Sequence, residues 1–223
     1  MFGRKKKADV EDQAAPEEVD ADLVEVEEED PVLDEWEEFD LSKDWREDGP
    51  FDIDEVDLDA DEVKRRDLGA MILTLEKGMT LTLVANQAKE ILHARVGRGT
   101  SIAELTVYAA PSTSNYRAVI RDTIIDAGNA RDIKKVKGPF GTELRRVLVS
   151  KNQKGREVLT PVRDWLIEGP RWVLGVRLSG PAGLAEGGKD AAIFEEFVRN
   201  IIVRRGDVAM VPGTAVPLTR EEK

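Results

Sequence analysis

The stretch from Gly138 to Gly180 decides the fold. It reads GPFGTELRRVLVS (138–150), KNQKGR (151–156) and EVLTPVRDWLIEGPRWVLGVRLSG (157–180). Three runs of alternating apolar and polar residues are separated by the turn signals Lys154-Gly155 and Gly169-Pro170, the pattern of a three-stranded antiparallel meander. Trp172, Leu174, Val176 and Leu178 recur at every second position, so the third strand turns one apolar face to a core.

Working back toward the N-terminus, LGAMILTL (68–75), TLTLVAN (80–86), EILHARVG (90–97) and SIAELTVYAA (101–110) also read as strands, with Lys77-Gly78, Asn86-Gln87 and Arg98-Gly99 as turns. A two-residue turn at Arg98-Gly99 pairs Gly97 with Thr100. It sets Leu92 opposite Leu105, Ala94 opposite Ala103 and His93 opposite Glu104. NYRAVIRDTIIDAGN (115–129) is the strongest helix. Tyr116, Val119, Ile120, Ile124 and Ala127 make its apolar stripe, Ser112 or Ser114 its cap and Gly128 its stop. A second helix over 191–202 presents Phe194, Phe197, Val198 and Ile201. Residues 204–218, RRGDVAMVPGTAVPL, are rich in Gly and Pro and read as an irregular tail.

Strands in antiparallel runs with helices set apart predict an α+β domain. Its mostly antiparallel β-sheet is covered by two main helices, 114–127 and 191–202. The expected core is Trp172, Leu174, Val176, Leu178, Phe194, Phe197, Ile120 and Ile124. The domain is expected to run from 63 to 218, followed by a C-terminal tail, 219–223.

Charge divides the chain at the same place. Residues 1–62 hold 27 acids against 6 bases, a formal −21, and residues 63–223 hold 18 acids against 27 bases, a formal +9. A block so acidic buries too little apolar surface to offset its ordering entropy, which predicts a largely disordered acidic arm over 1–62. Within it, PVLDEWEEFDL (31–41) places Val32, Leu33, Trp36 and Phe39 at helical spacing on one side of a carboxylate-rich segment. That is the pattern of a helix that folds on docking in a groove. Residues 44–69 mix Phe51, Ile53, Val56 and Leu58 with acids and read as an extended anchor across the domain.

The chain has no cysteine and one histidine, so disulfides and thiolate chemistry are excluded and a transition-metal site has no ligand set. The basic start, MFGRKKK, is followed by acidic sequence rather than an apolar run, and no 18 consecutive apolar residues occur. These observations predict a cytoplasmic protein without a membrane partner. Gly183 to Lys189 matches GxxxxGK, but Asp190 stands where a P-loop needs Ser or Thr, and Asp190 reads better as a helix cap. No catalytic residues, cofactor or metal are expected.

The basic residues crowd the meander. Arg145, Arg163, Arg171 and Arg177 are the candidates for an anion or nucleic-acid face, with Lys134, Lys135 and Lys137 leading into it. Arg163 is expected beside Trp165, and Arg171 and Arg177 opposite the Trp172 face. The expected function is a non-enzymatic cytoplasmic binding or adaptor protein, its acidic arm engaging a protein partner or the domain's own basic face. The alternative is nucleic-acid association through the basic sheet face, with the arm as competitor.

Four stretches carry a resemblance: GPFDIDEVDLDADEVKRRDLG (49–69), GPFGTELR (138–145), GPRWVLGVRLSG (169–180) and RRGDVAMVPGTAVPL (204–218). Over about 45–220 the chain resembles the actinobacterial domain of unknown function 3710 family. The resemblance implies a cytoplasmic protein with an acidic N-terminal extension and supplies no catalytic or binding residues. The order of elements is also similar, more loosely, to the PsbP-like α/β/α sandwich of binding and assembly proteins.

Overall fold

Seven antiparallel strands form the frame in the order β4-β5-β6-β10-β9-β8-β7. They are β4 (Thr80–Ala85), β5 (Ile91–Arg98), β6 (Ser101–Ala109), β7 (Ala130–Gly138), β8 (Gly141–Lys151), β9 (Glu157–Gly169) and β10 (Trp172–Ser179). The structure, a computed structural model, describes residues 32–112, 115–185 and 187–220. The meander expected over 138–180 is β8-β9-β10, and β7 extends it through a hairpin in which Gly138 pairs with Gly141. A smaller four-stranded sheet has the order β1-β11-β3-β2, from β1 (Phe51–Asp52), β11 (Ile202–Val203), β3 (Met71–Leu73) and β2 (Arg66–Asp67). The fold is α+β.

Alternation sorts the large sheet into two faces. One carries Trp165, Ile167, Trp172, Leu174, Val176 and Leu178. It packs with Phe194, Phe197 and Val198 of α3 (Gly188–Arg199) and with Met71, Leu73 and Val203 of the small sheet. On the other face Leu166 and Val173 meet Ile120 of α2 (Tyr116–Asp126), with Tyr108, Tyr116 and Ile124 packed beside them. Of the expected core only Ile124 is less than fully buried.

Four local expectations are corrected. The β5–β6 turn is Gly99-Thr100, so Arg98 pairs with Ser101, Ala94 with Leu105 and Arg95 with Glu104. The shift is two residues, which keeps every side chain on its expected face but moves His93 away from Glu104. Helix α2 buries Arg117, Ala118, Ile120 and Arg121 and leaves Val119 half-exposed, because the surface it meets includes carboxylates. Its N-cap is Asn115, without a side-chain cap, and the Glu168 carboxylate accepts the Tyr116 N–H at 2.7 Å instead. Ser114 lies outside the described residues. In α3 the cap position is Gly187, and Asp190, in the first turn, accepts from the Ser101 hydroxyl at 3.2 Å.

The boundary of folded structure also differs from the expected one. Residues 1–31 of the acidic arm lie outside the described residues, but from Leu33 onward the chain belongs to one unit with the domain. Helix α1 (Glu35–Leu41) packs on β8, and β1 pairs in parallel with β11. The net charge of this segment suggested disorder; two of its carboxylates, Asp40 and Asp52, are instead buried against specific donors. Asp52 is 6% exposed and accepts the Trp172 indole N–H at 2.6 Å. The Trp172→Phe variant leaves that buried carboxylate only the Asp54 N–H and is expected to lose about 2 kcal/mol of unfolding free energy in urea titration. An unchanged midpoint would show that the bond contributes nothing.

Candidate functional site: the acidic segment on its own domain

Helix α1 forms because Asp34 and Glu37 make a capping box: the Asp34 carboxylate accepts the N–H groups of Trp36 and Glu37, and Glu37 reaches back to the Asp34 N–H. Without a partner surface seven residues would not hold a helix. The surface is supplied by β7, β8 and α2. Lys135 pairs with Asp34 at 3.0 Å, Lys137 sits over the Phe39 ring, and the Thr142 hydroxyl donates to the Trp36 carbonyl.

Asp40 is the centre of the contact. It is fully buried; one carboxylate oxygen accepts from the Arg121 guanidinium and the other accepts the Thr142 N–H at 2.7 Å. Its backbone carbonyl accepts from Arg117 at 3.3 Å and from the Trp45 indole at 3.0 Å. Gly141 makes this approach possible. Its φ is +102°, and a Cβ there would stand 2.7 Å from the Asp40 carboxylate and 2.9 Å from Arg117. Downstream, Arg46 makes a bidentate pair with Glu55 at 2.9 and 3.0 Å and lies over the Trp172 ring.

Leu33, Trp36 and Phe39 of the expected docking motif are each partly buried, and Phe39 stacks at a tilt on Trp45 with ring centroids 4.8 Å apart. Val32 is exposed. The four candidate arginines do not share one face. Arg145 and Arg163 are cross-strand partners on the Trp165 side of the sheet, whereas Arg177 lies opposite Asp164 on the α2 side. Arg171 sits in the β9–β10 turn, with φ +60°, and reaches the Gly206 carbonyl.

Two buried carboxylates hold three of these arginines. Glu143, fully buried, receives Arg145 at 2.6 Å, Arg163 at 2.7 and 2.9 Å and the Trp165 indole at 2.6 Å. Asp164 receives Arg177 at 2.8 Å and Arg146 at 2.7 Å. Burial alone would push the Glu143 carboxyl up; the hydrogen bonds from Arg163, Arg145 and Trp165 outweigh it and hold the group below the usual glutamate range. Burial likewise opposes the charge on Arg177, and Asp164, ahead of Glu104, overrides it to raise that guanidinium.

His93, expected opposite Glu104, bonds Thr106 instead, its Nδ1 2.7 Å from Oγ1. Asp40, Asp52, Glu143 and Asp164 were not singled out by sequence. The one signal available was the Asp34/Glu37 capping spacing, which marks a helix start but not the carboxylate that anchors it.

A family model described as "Protein of unknown function (DUF3710)" matches residues 49–223. The chain belongs to this family. Among curated proteins none matches it. The matched span contains Asp52, Glu143, Asp164 and Trp172, and it begins after α1, so Asp40 lies ahead of it. Among the described residues no helix is long and apolar enough to cross a membrane.

The lowered Glu143 pKa has a testable sign. A depressed folded-state value adds stability that is complete above the unfolded glutamate pKa, about 4.3, and is lost as pH falls through the lower folded value. Glu143→Gln is therefore expected to flatten the fall in unfolding free energy between about pH 5 and pH 2. A variant whose acid limb parallels that of the wild type would remove Glu143 from the acid response.

Proposed function

We propose that this is a cytoplasmic, non-enzymatic binding protein whose acidic N-terminal segment occupies a groove of its own domain, formed by β7, β8 and α2. The observation that carries the reading is the complete burial of Asp40 against Arg121 and the Thr142 N–H. A carboxylate desolvated this far requires donors already in place, so the groove is a built receptor for an acidic, aromatic helix. Tethering keeps the cis segment at high local concentration, so a protein partner presenting a similar helix must compete with it.

The test uses the full chain with Asp40→Ala. The variant is expected to lose about 3 kcal/mol of stability and to exchange its amides over 34–48 faster. A labelled peptide of residues 31–48 should bind the variant in trans, and bind the wild type at least tenfold more weakly because the groove is filled. If the 34–48 amides stay protected in the variant, or the peptide binds neither chain, the reading fails.

One observation favours the alternative of nucleic-acid association, away from the sheet face. Arg171, Arg204 and Arg205 surround a cleft of about 360 Å³ that Asp52, Asp54 and Asp207 also line, and the Arg205 Nε is buried without a hydrogen-bond partner. Labelled single- and double-stranded DNA should then bind the full chain at low salt, weaken steeply toward physiological salt and be lost in Arg171→Ala. No binding at low salt would remove this reading.

A further inference from the structure

The α2 side of the large sheet holds a cavity of about 150 Å³, apart from the α1 groove. Its polar lining comes from the middle strands: His93 of β5, Glu104, Thr106 and Tyr108 of β6, Arg177 of β10 and Asp164 of β9, with Ile124 of α2 at its rim. Gly175 leaves room for the Tyr108 ring, since a Cβ there would lie 2.9 Å from its Cε2.

Two features define what would bind. The first is charge. Arg95, Arg146 and Arg177 are three cations, and Glu104 and Asp164 two anions, linked in one row: Arg95 and Arg177 on Glu104, Arg177 and Arg146 on Asp164. The row carries one net positive charge. Arg177 spends its Nε on Asp164 at 2.8 Å, and its nearest other acid is Glu104 at 3.7 Å, too long for a hydrogen bond. Its terminal N–H groups thus remain for an anion, and a single negative charge balances the row.

The second feature is a set of hydrogen-bonding groups. His93 Nδ1 meets the Thr106 hydroxyl at 2.7 Å, and the Tyr108 phenol lines the same cavity. Burial pushes the Tyr108 phenol up, so it stays protonated. With a hydrogen on one ring nitrogen, the His93–Thr106 pair can order its hydrogens in two ways. In one, the Thr106 hydroxyl donates to Nδ1 and Nε2 presents a hydrogen; in the other, Nδ1 donates and Nε2 accepts. The Tyr108 phenol both donates and accepts, so it complements either order. A ligand hydroxyl, which both donates and accepts, matches both orders. Among the described residues His93 Nε2 has no partner.

From the charge row and these groups together, we infer that the cavity is a binding site for a small α-hydroxycarboxylate, its carboxylate on Arg177 and its hydroxyl between His93 and the Tyr108 phenol. The size agrees: a cavity of this volume accepts a molecule no larger than a single ring. A dianion would meet Glu104 and Asp164 without enough cations, and a cation would meet Arg177.

The single histidine makes the test direct, because its ring protons give one set of NMR signals from the site. Lactate, propionate and 1,2-propanediol are titrated separately into the full chain, the last two each lacking one of the two groups; inorganic phosphate is the multiply charged control. Lactate is expected to shift the His93 signals saturably, with a Kd of roughly millimolar order, and the other three at least fivefold more weakly. Tyr108→Phe keeps the ring packing and removes the phenol; it should weaken lactate at least fivefold while the spectrum stays dispersed. The proposal is overturned by no saturable lactate shift up to about 50 mM. It is equally overturned if propionate, the diol or phosphate matches lactate, or if Tyr108→Phe binds lactate as the wild type does.

Discussion

A carboxylate with no access to water holds the N-terminal part of this protein in place. Asp40 has lost its hydration, and what replaces water is the Arg121 guanidinium and the Thr142 N–H, both hydrogen-bonded to it, with the Arg117 guanidinium 4.0 Å away. Neither donor is local in sequence. Arg121 comes from α2 and Thr142 from the start of β8, so the carboxylate is satisfied only when helix, sheet and acidic segment are assembled together. The glycine at 141 belongs to the same arrangement: its missing side chain is the space Asp40 occupies.

The same solution recurs through the molecule. Asp52 is met by an indole, Glu143 by an indole and two guanidinium groups, Asp164 by two guanidinium groups. Placing acids inside a body whose residues 63–223 are formally +9 gives the arginines of the meander internal work. Arg163 covers Trp165 and clasps Glu143 in the same posture, a structural use of a residue type that reads from sequence as an anion binder. The charge segregation along the chain is thus partly undone in three dimensions, where residues 34–55 of the acidic block deliver carboxylates to cations of the body.

Much of the fold was legible because its signals are periodic. The alternation in 157–178, the hairpin glycines and the apolar face of α3 each repeat over enough residues to fix strand, turn or helix, and the β8-β9-β10 meander follows them. The Gly99-Thr100 turn shows the limit: parity placed each side chain on the right face, but parity is the same for a register shifted by two, so His93 was given the wrong neighbour. Helical spacing in 31–41 and the apolar residues of 44–69 marked a segment that docks, but the acids that hold 33–55 in place were not legible, for a different reason. Composition reports average charge, whereas order there depends on two individual acids and on partners about 80 to 120 residues away. Buried Arg117 and Arg121 were hidden likewise, since an arginine on a helix reads as solvent-facing until its carboxylate is known.

The parallel pairing of β1 with β11 has a consequence for synthesis. Phe51 and Asp52 leave the ribosome about 150 residues before Ile202 and Val203, the strand they must join. Until then the segment has no edge to pair with, and Asp52 has no indole before residue 172 emerges. Because contacts this far apart close only after intervening structure exists, docking of the acidic segment is a late event in folding. Its many charges then have an earlier role: they keep a nascent segment soluble and apart from its neighbours while the sheet that will receive it is still being made.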